Sequence, residues 1–143
     1  MTRHILAAAC IAVAALAAAS SAHASTDREK ERLAFYERHA GSPVDDMPFW
    51  RLVRYEAFGD EAVAVWTGVN TVWLIKVRPP CVELPWAKAI ALTSNGQHRV
   101  STKFDHVLAG RDRCMIGSIQ PIDYKALRAE EKAQTAREKA AAR

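Results

Sequence analysis

The sequence predicts an α+β domain: a small curled antiparallel β-sheet or half-barrel of five to six strands, with an N-terminal helix, a short inserted helix and a C-terminal helical tail. Short branched and aromatic runs, punctuated by Gly, Asn and Pro, fill positions 49–121, which is the pattern of closely spaced strands. Helical periodicity is confined to the two ends and one insertion. Two cysteines, Cys81 and Cys114, bracket the middle of the chain.

The first two dozen residues belong to a different object. Arg3 and His4 form a short basic region, Ile5 to Ala19 is uncharged and alanine-rich, and Ala22-His23-Ala24 has the small-x-small form of a signal-peptidase site. Residues 1–24 therefore read as a signal peptide cleaved before Ser25. A membrane anchor fits less well, because the uncharged run falls short of the roughly 20 apolar residues that span a bilayer. Cys10 lies inside that run and leaves with it. The mature chain is expected in the periplasm or outside the cell, with no membrane span.

Residues 25–41 form the first mature segment. Thr26-Asp27-Arg28-Glu29 has the form of a capping box, and Leu33, Tyr36 and Ala40 follow at helical spacing until Gly41 and Pro43. This predicts a helix over 27–39 that packs on the core. The β-rich core, 42–122, starts with the turn-like run Gly41 to Pro48. Phe49–Phe58, Glu61–Trp66 and Thr71–Val77 then read as a three-stranded meander with turns at Gly59-Asp60 and Gly68. Pro79 and Pro80 end it, since proline cannot donate to a ladder. Trp86 and Ile90 at i, i+4, with Pro85 near a first turn, predict one short helix within Leu84–Leu92. Arg99–Leu108 reads as one bent or two short strands, and Cys114–Ile119 as the last strand before Pro121.

The tail, 123–143, consists of good helix formers capped by Asp123, with no large apolar residue beyond Tyr124 and Leu127. It reads as a helix with a solvated, frayed outer half, and removal of 126–143 is expected to leave stability nearly unchanged.

Removing residues 1–24 takes away one of 20 Lys and Arg and none of 16 Asp and Glu, leaving a surplus of three positive charges. That surplus is weak and interspersed with acids, unlike the concentrated basic face of a nucleic-acid binder. One of three cysteines leaves with the leader, so the mature chain holds an even pair where disulfides persist, and a Cys81–Cys114 bridge follows.

A stretch from Phe58 to Leu108, with Cys114-Met115-Ile116-Gly117-Ser118-Ile119-Gln120-Pro121-Ile122-Asp123 after it, resembles a family of short exported proteobacterial proteins catalogued only as a domain of unknown function. The resemblance spans about residues 33–124. It is carried by Val65-Trp66-Thr67, Cys81, Ala89 to Ser94, Arg99-Val100-Ser101, Phe104-Asp105 and Cys114, with Ile116, Ile119, Pro121 and Asp123. It implies export and the cysteine pair, and no activity.

No metal site or cofactor is predicted. His39, His98 and His106 show no spacing that places two imidazoles on one ion, and Asp105 and His106 on a strand point to opposite faces. Ser94, Ser101 and Ser118 lie in no nucleophile elbow. Four tryptophans fall between positions 50 and 86. Core packing is the plainer reading, above all for Trp73 and Trp86 among apolar neighbours. The functional reading is an aromatic-lined groove built on Trp50 and Trp66 with Arg51 and Arg54.

These readings converge on a non-catalytic exported accessory protein that binds an envelope partner or ligand. A small periplasmic hydrolase and a purely structural envelope component are the alternatives. Cys81→Ser is expected to lose roughly 3.5–4 kcal/mol of stability in urea denaturation without reductant. Two free thiols in exported protein, seen by non-reducing mass spectrometry, would rule out the bridge.

Overall fold

The computed structural model describes residues 26–143. The predicted leader and its cleavage before Ser25 lie outside the described residues. Helix α1 covers 26–38, so the Thr26 of the expected capping box is itself helical. Eight strands follow among the described residues: β1 (Asp46–Pro48), β2 (Arg54–Phe58), β3 (Ala62–Trp66), β4 (Val72–Val77), β5 (Ile90–Leu92), β6 (Arg99–Ser101), β7 (His106–Ala109) and β8 (Asp112–Ile122). A single 3-10 turn, Leu84–Trp86, sits between β4 and β5, and helix α2 (Tyr124–Ala141) closes the chain. Six strands form a curled antiparallel half-barrel in the order β2-β3-β4-β8-β7-β5, and β1 and β6 pair as a separate ribbon. The α+β class and the half-barrel expected from the sequence are what the chain forms.

Strand β3 is buried on both faces, which the alternating reading of Glu61–Trp66 did not anticipate. Val63 and Val65 point into the half-barrel, where Met47, Ile75, Leu84, Val100, Val107, Ile116 and Ile119 fill the interior. Ala62, Ala64 and Trp66 point the other way, toward Leu33, Phe35 and Tyr36 of α1 and Leu127 of α2. Two small alanines on that face let the helix approach the sheet, and Trp66 fills the space beyond them. The second layer of apolar side chains on β3 and β4 thus requires the two helices, just as the first requires the β1–β6 ribbon.

Strand β8 gives the sheet its curl. Its first part pairs with β7 and its second with β4, and the ladder slips between Lys76 and Val77 so that Gly117 is left unpaired. A Cβ at Gly117 would stand 3.3 Å from the Lys76 carbonyl oxygen, a tight contact that the ladder would have to relax to admit. Pro121 does not end the strand, as the sequence suggested. It forfeits a donor but its carbonyl still accepts from Gly41 N–H at 2.7 Å, which lays the chain after α1 along the end of β8.

Three expectations are corrected. Phe49–Val53 is loop, and only Arg54–Phe58 is strand. Asp46–Pro48, within the presumed turn, forms β1, because Met47 is fully buried and its backbone pairs with β6. The inserted helix shrinks to the 3-10 turn, and Ile90 belongs to β5. Of the two forms expected for Arg99–Leu108, two short strands are what the chain has; they lie in different sheets, separated by a turn held by Asp105. That buried carboxylate accepts from the Thr93 hydroxyl and the Ser101 N–H, both at 2.8 Å, while Thr93 Oγ1 accepts from His106 N–H.

Between the helices and the sheet lies a half-buried polar knot. Arg32 on α1 pairs with Glu56 on β2 at 2.7 Å and Glu131 on α2 at 2.8 Å, and the Tyr36 hydroxyl donates to Glu56 at 2.8 Å. Burial opposes the Arg32 charge, but hydrogen bonds to the two glutamates more than offset it and hold the guanidinium above its ordinary range. Burial, then the bond to Glu56, pushes the Tyr36 hydroxyl well above the usual tyrosine range. Nearby, hydrogen bonds first from Arg38 and then from His39 hold the Glu130 carboxyl below the usual range.

These contacts also correct the reading of the tail. Asp123 caps α2 by accepting from Ala126 N–H at 3.0 Å, Leu127 is fully buried, and Glu130 and Glu131 are tied to α1. Only the part from Lys132 onward is exposed throughout. Truncation after Glu131 is therefore expected to change stability by less than about 0.5 kcal/mol. Truncation after Lys125, which removes Leu127, should lose about 2–5 kcal/mol. Urea melts of the two truncations measure the difference.

Candidate functional site

The four residues of the expected groove do not assemble into one. Trp66 is 2% exposed and fills the helix-side core, with Tyr36 and Tyr124 edge-on to its ring. Arg54 roofs it, the guanidinium 3.8 Å from the ring centroid and Nη2 donating to the Tyr124 hydroxyl at 3.2 Å. Trp50 is 75% exposed but stacks on His98, ring to ring at 3.9 Å, where Phe49 N–H donates to the His98 carbonyl. Arg51, beside it, is exposed. Trp73 is half-buried against the half-barrel interior, as expected, whereas Trp86 is not a core residue.

The segment that carries Trp86 is anchored at several points. Cys81 is bridged to Cys114 on β8 with 5.6 Å between Cα atoms, and Leu84 is buried in the half-barrel. Glu83 is clasped to the β7–β8 turn: its N–H donates to Asp112 at 2.8 Å, and its carboxylate accepts from Arg111 N–H at 2.7 Å and from Arg111 Nε at 3.0 Å. The Arg111 backbone donor, then its side chain, hold the Glu83 carboxyl below its ordinary range. Gly110 makes the clasp possible, with φ of +59° and a place where a Cβ would meet Glu83 Oε2 at 1.8 Å. Beyond the turn, the Tyr55 hydroxyl donates to the Ala87 carbonyl at 2.8 Å, joining the segment to edge strand β2.

A 3-10 turn repeats every three residues, so Cys81 and Leu84 share the inward face while Val82 and Pro85 share another. Val82 is 63% exposed and Trp86 82%. With Pro85 they form one wall of an open cleft of about 330 Å³. The other walls are Gly59, Asp60 and Glu61 at the β2–β3 turn and Glu29 and Lys30 on α1, with Phe58 between them. Sequence reasoning missed this site because it read Trp86 at a period of 3.6; a period of three starting from Cys81 places it outside.

Three of the polar residues weighed for site chemistry are engaged elsewhere. His39 pairs with Glu130 at 2.7 Å, Ser94 donates to the Arg99 carbonyl at 2.9 Å, and Ser101 Oγ accepts from Lys103 N–H. Cys81, Asp112 and Cys114 bring potential ligand atoms within 4.8 Å, but the sulfurs are bonded to each other and Asp112 holds the Glu83 backbone. Among the described residues no helix is long and apolar enough to cross a membrane.

The model of a family of unknown function, DUF6491, matches residues 1–138, and the chain belongs to that family. No curated protein and no solved structure matches it.

Trp66→Ala is expected to lose about 3–5 kcal/mol, because it empties a core position. Trp86→Ala should stay within about 0.5 kcal/mol of the parent protein. Paired urea denaturation distinguishes them; a large loss at Trp86 would place its ring in the core.

Proposed function

We propose that this member of DUF6491 is an exported, non-catalytic binding module that acts at the cell envelope through the cleft beside Trp86. The observation that carries the reading is the exposure of Val82 and Trp86 on a segment held by a disulfide, a buried leucine and a side-chain clasp. A loop fixed this firmly loses little conformational entropy when a partner covers it, and a rigid exposed tryptophan is a common anchor of binding surfaces. Export is supported by the leader-like residues 1–24 and by the Cys81–Cys114 bridge, which suits an oxidising compartment. A non-catalytic role is supported by the use of Asp105, His39, Ser94 and Ser101 in turns and ion pairs.

The test uses the full chain in cells. Intact mass of the exported protein should begin at Ser25 and show both cysteines oxidised; retention inside the cell with residues 1–24 attached would refute export. A photo-crosslinking residue at Val82 should give a discrete adduct that Trp86→Ala abolishes, while the same probe at exposed Met115 should not. Equal labelling from both positions would refute the site.

A further inference from the structure

We infer that the cleft beside Trp86 receives the basic side chain, arginine in the first place, of a partner polypeptide. The inference rests on the binding role proposed above and specifies its chemistry.

Charge is the first argument. The whole chain carries a formal net charge of +4, yet this cleft presents the carboxylates of Glu29, Asp60 and Glu61 against the ammonium of Lys30, and the α-ammonium that cleavage before Ser25 would leave one residue ahead of its Thr26 still leaves carboxylates in excess. None of these four side chains takes part in an ion pair among the described residues, whereas Glu37, Glu56, Glu83, Glu130 and Glu131 all do. The cleft is therefore a locally negative site on a positive protein, and its field favours a cation.

Shape and surface chemistry are the second. Trp86 offers an exposed indole, the best aromatic partner for a cation, and Val82 and Pro85 offer an apolar wall for an aliphatic stem. An arginine side chain uses all of these at once: its methylenes lie on apolar surface, its planar face stacks on the ring, and its donors reach a carboxylate. The protein satisfies its own arginines in this way. Arg54 lies over Trp66, and Arg32 lies 5.0 Å from the Tyr36 ring centroid while pairing with Glu56.

The source of the cation follows from the rim. Val82 and Trp86 remain largely exposed at the edge of an open cleft, so a free small cation would leave most of that apolar surface in water. A polypeptide that inserts one basic side chain covers the rim with its neighbouring residues.

The probe is a nine-residue peptide with one central arginine flanked by glycine and serine, titrated into the disulfide-bonded chain 25–143 or the full chain. Binding is followed at the Trp86 indole N–H by NMR, the resonance being assigned by its loss in Trp86→Ala. The arginine peptide should shift this resonance saturably, and rising salt should weaken the effect. The isosteric neutral peptide with citrulline should bind about tenfold more weakly. Asp60→Asn with Glu61→Gln should weaken the arginine peptide by a similar factor without lowering the melting temperature, since both positions are exposed. Equal binding of the citrulline peptide would overturn the cation while leaving the Trp86 cleft a binding site. Agmatine binding as tightly as the peptide would overturn the polypeptide partner. No shift with any probe, in a protein that still gives the Val82 crosslink, would overturn this inference alone; loss of the crosslink as well would remove the site.

Discussion

The constraint on which the rest of this fold depends is that β3 is buried on both faces. A six-stranded half-barrel has one interior, and a sheet of this size can leave its outer face to water. Here the outer face of β3 and β4 carries Ala62, Ala64, Trp66, Val72 and Leu74, which must be covered. Each of α1 and α2 alone leaves part of that face open, so the chain brings both ends of its described length onto the same side of the sheet. The polar knot of Arg32, Tyr36, Glu56 and Glu131 then joins the three elements at the margin of that second core. These half-buried pairs favour one register of helix against sheet, because a shifted helix would part the Arg32 guanidinium from both carboxylates.

The inner core obeys a different logic. Its lid is the short β1–β6 ribbon together with the segment after Cys81, neither of which has much regular structure of its own. Pieces this short are fixed by what crosses between them: the disulfide, the Glu83 clasp, Met47 and Leu84 in the interior, and the Asp105 carboxylate at the β6–β7 turn. Several residues that carry the family resemblance, Thr93, Ser101 and Asp105 among them, belong to this stitching. Their pattern is that of an architecture.

Much of the fold was legible because its signals are local. The β2-β3-β4 meander shows in branched residues and turn glycines, the Asp123 cap in a single acidic residue before a helical run, and the cysteine pair in simple parity. What escaped depends on partners distant in sequence. Strand β1 exists only because β6 pairs with it 53 residues away, as in Asp46 with Ser101 at 55 and Pro48 with Arg99 at 51. The double burial of β3 depends on two helices whose apolar faces are narrow. The candidate site was misplaced for a similar reason: the opposite fates of Trp66 and Trp86 follow from strand pairing and helix cover in one case and from a three-residue turn in the other.

The exposed portion of α2 has a geometric consequence. From Lys132 to Ala141 the helix runs free of the core for about 15 Å at the ordinary rise per residue. It lies far along the chain from the Val82–Trp86 segment, and Glu130 and Glu131 fix its direction at the base. A fluorophore or tether joined at Ala141 is thus held off the domain on a short stalk whose origin is set by two ion-paired glutamates.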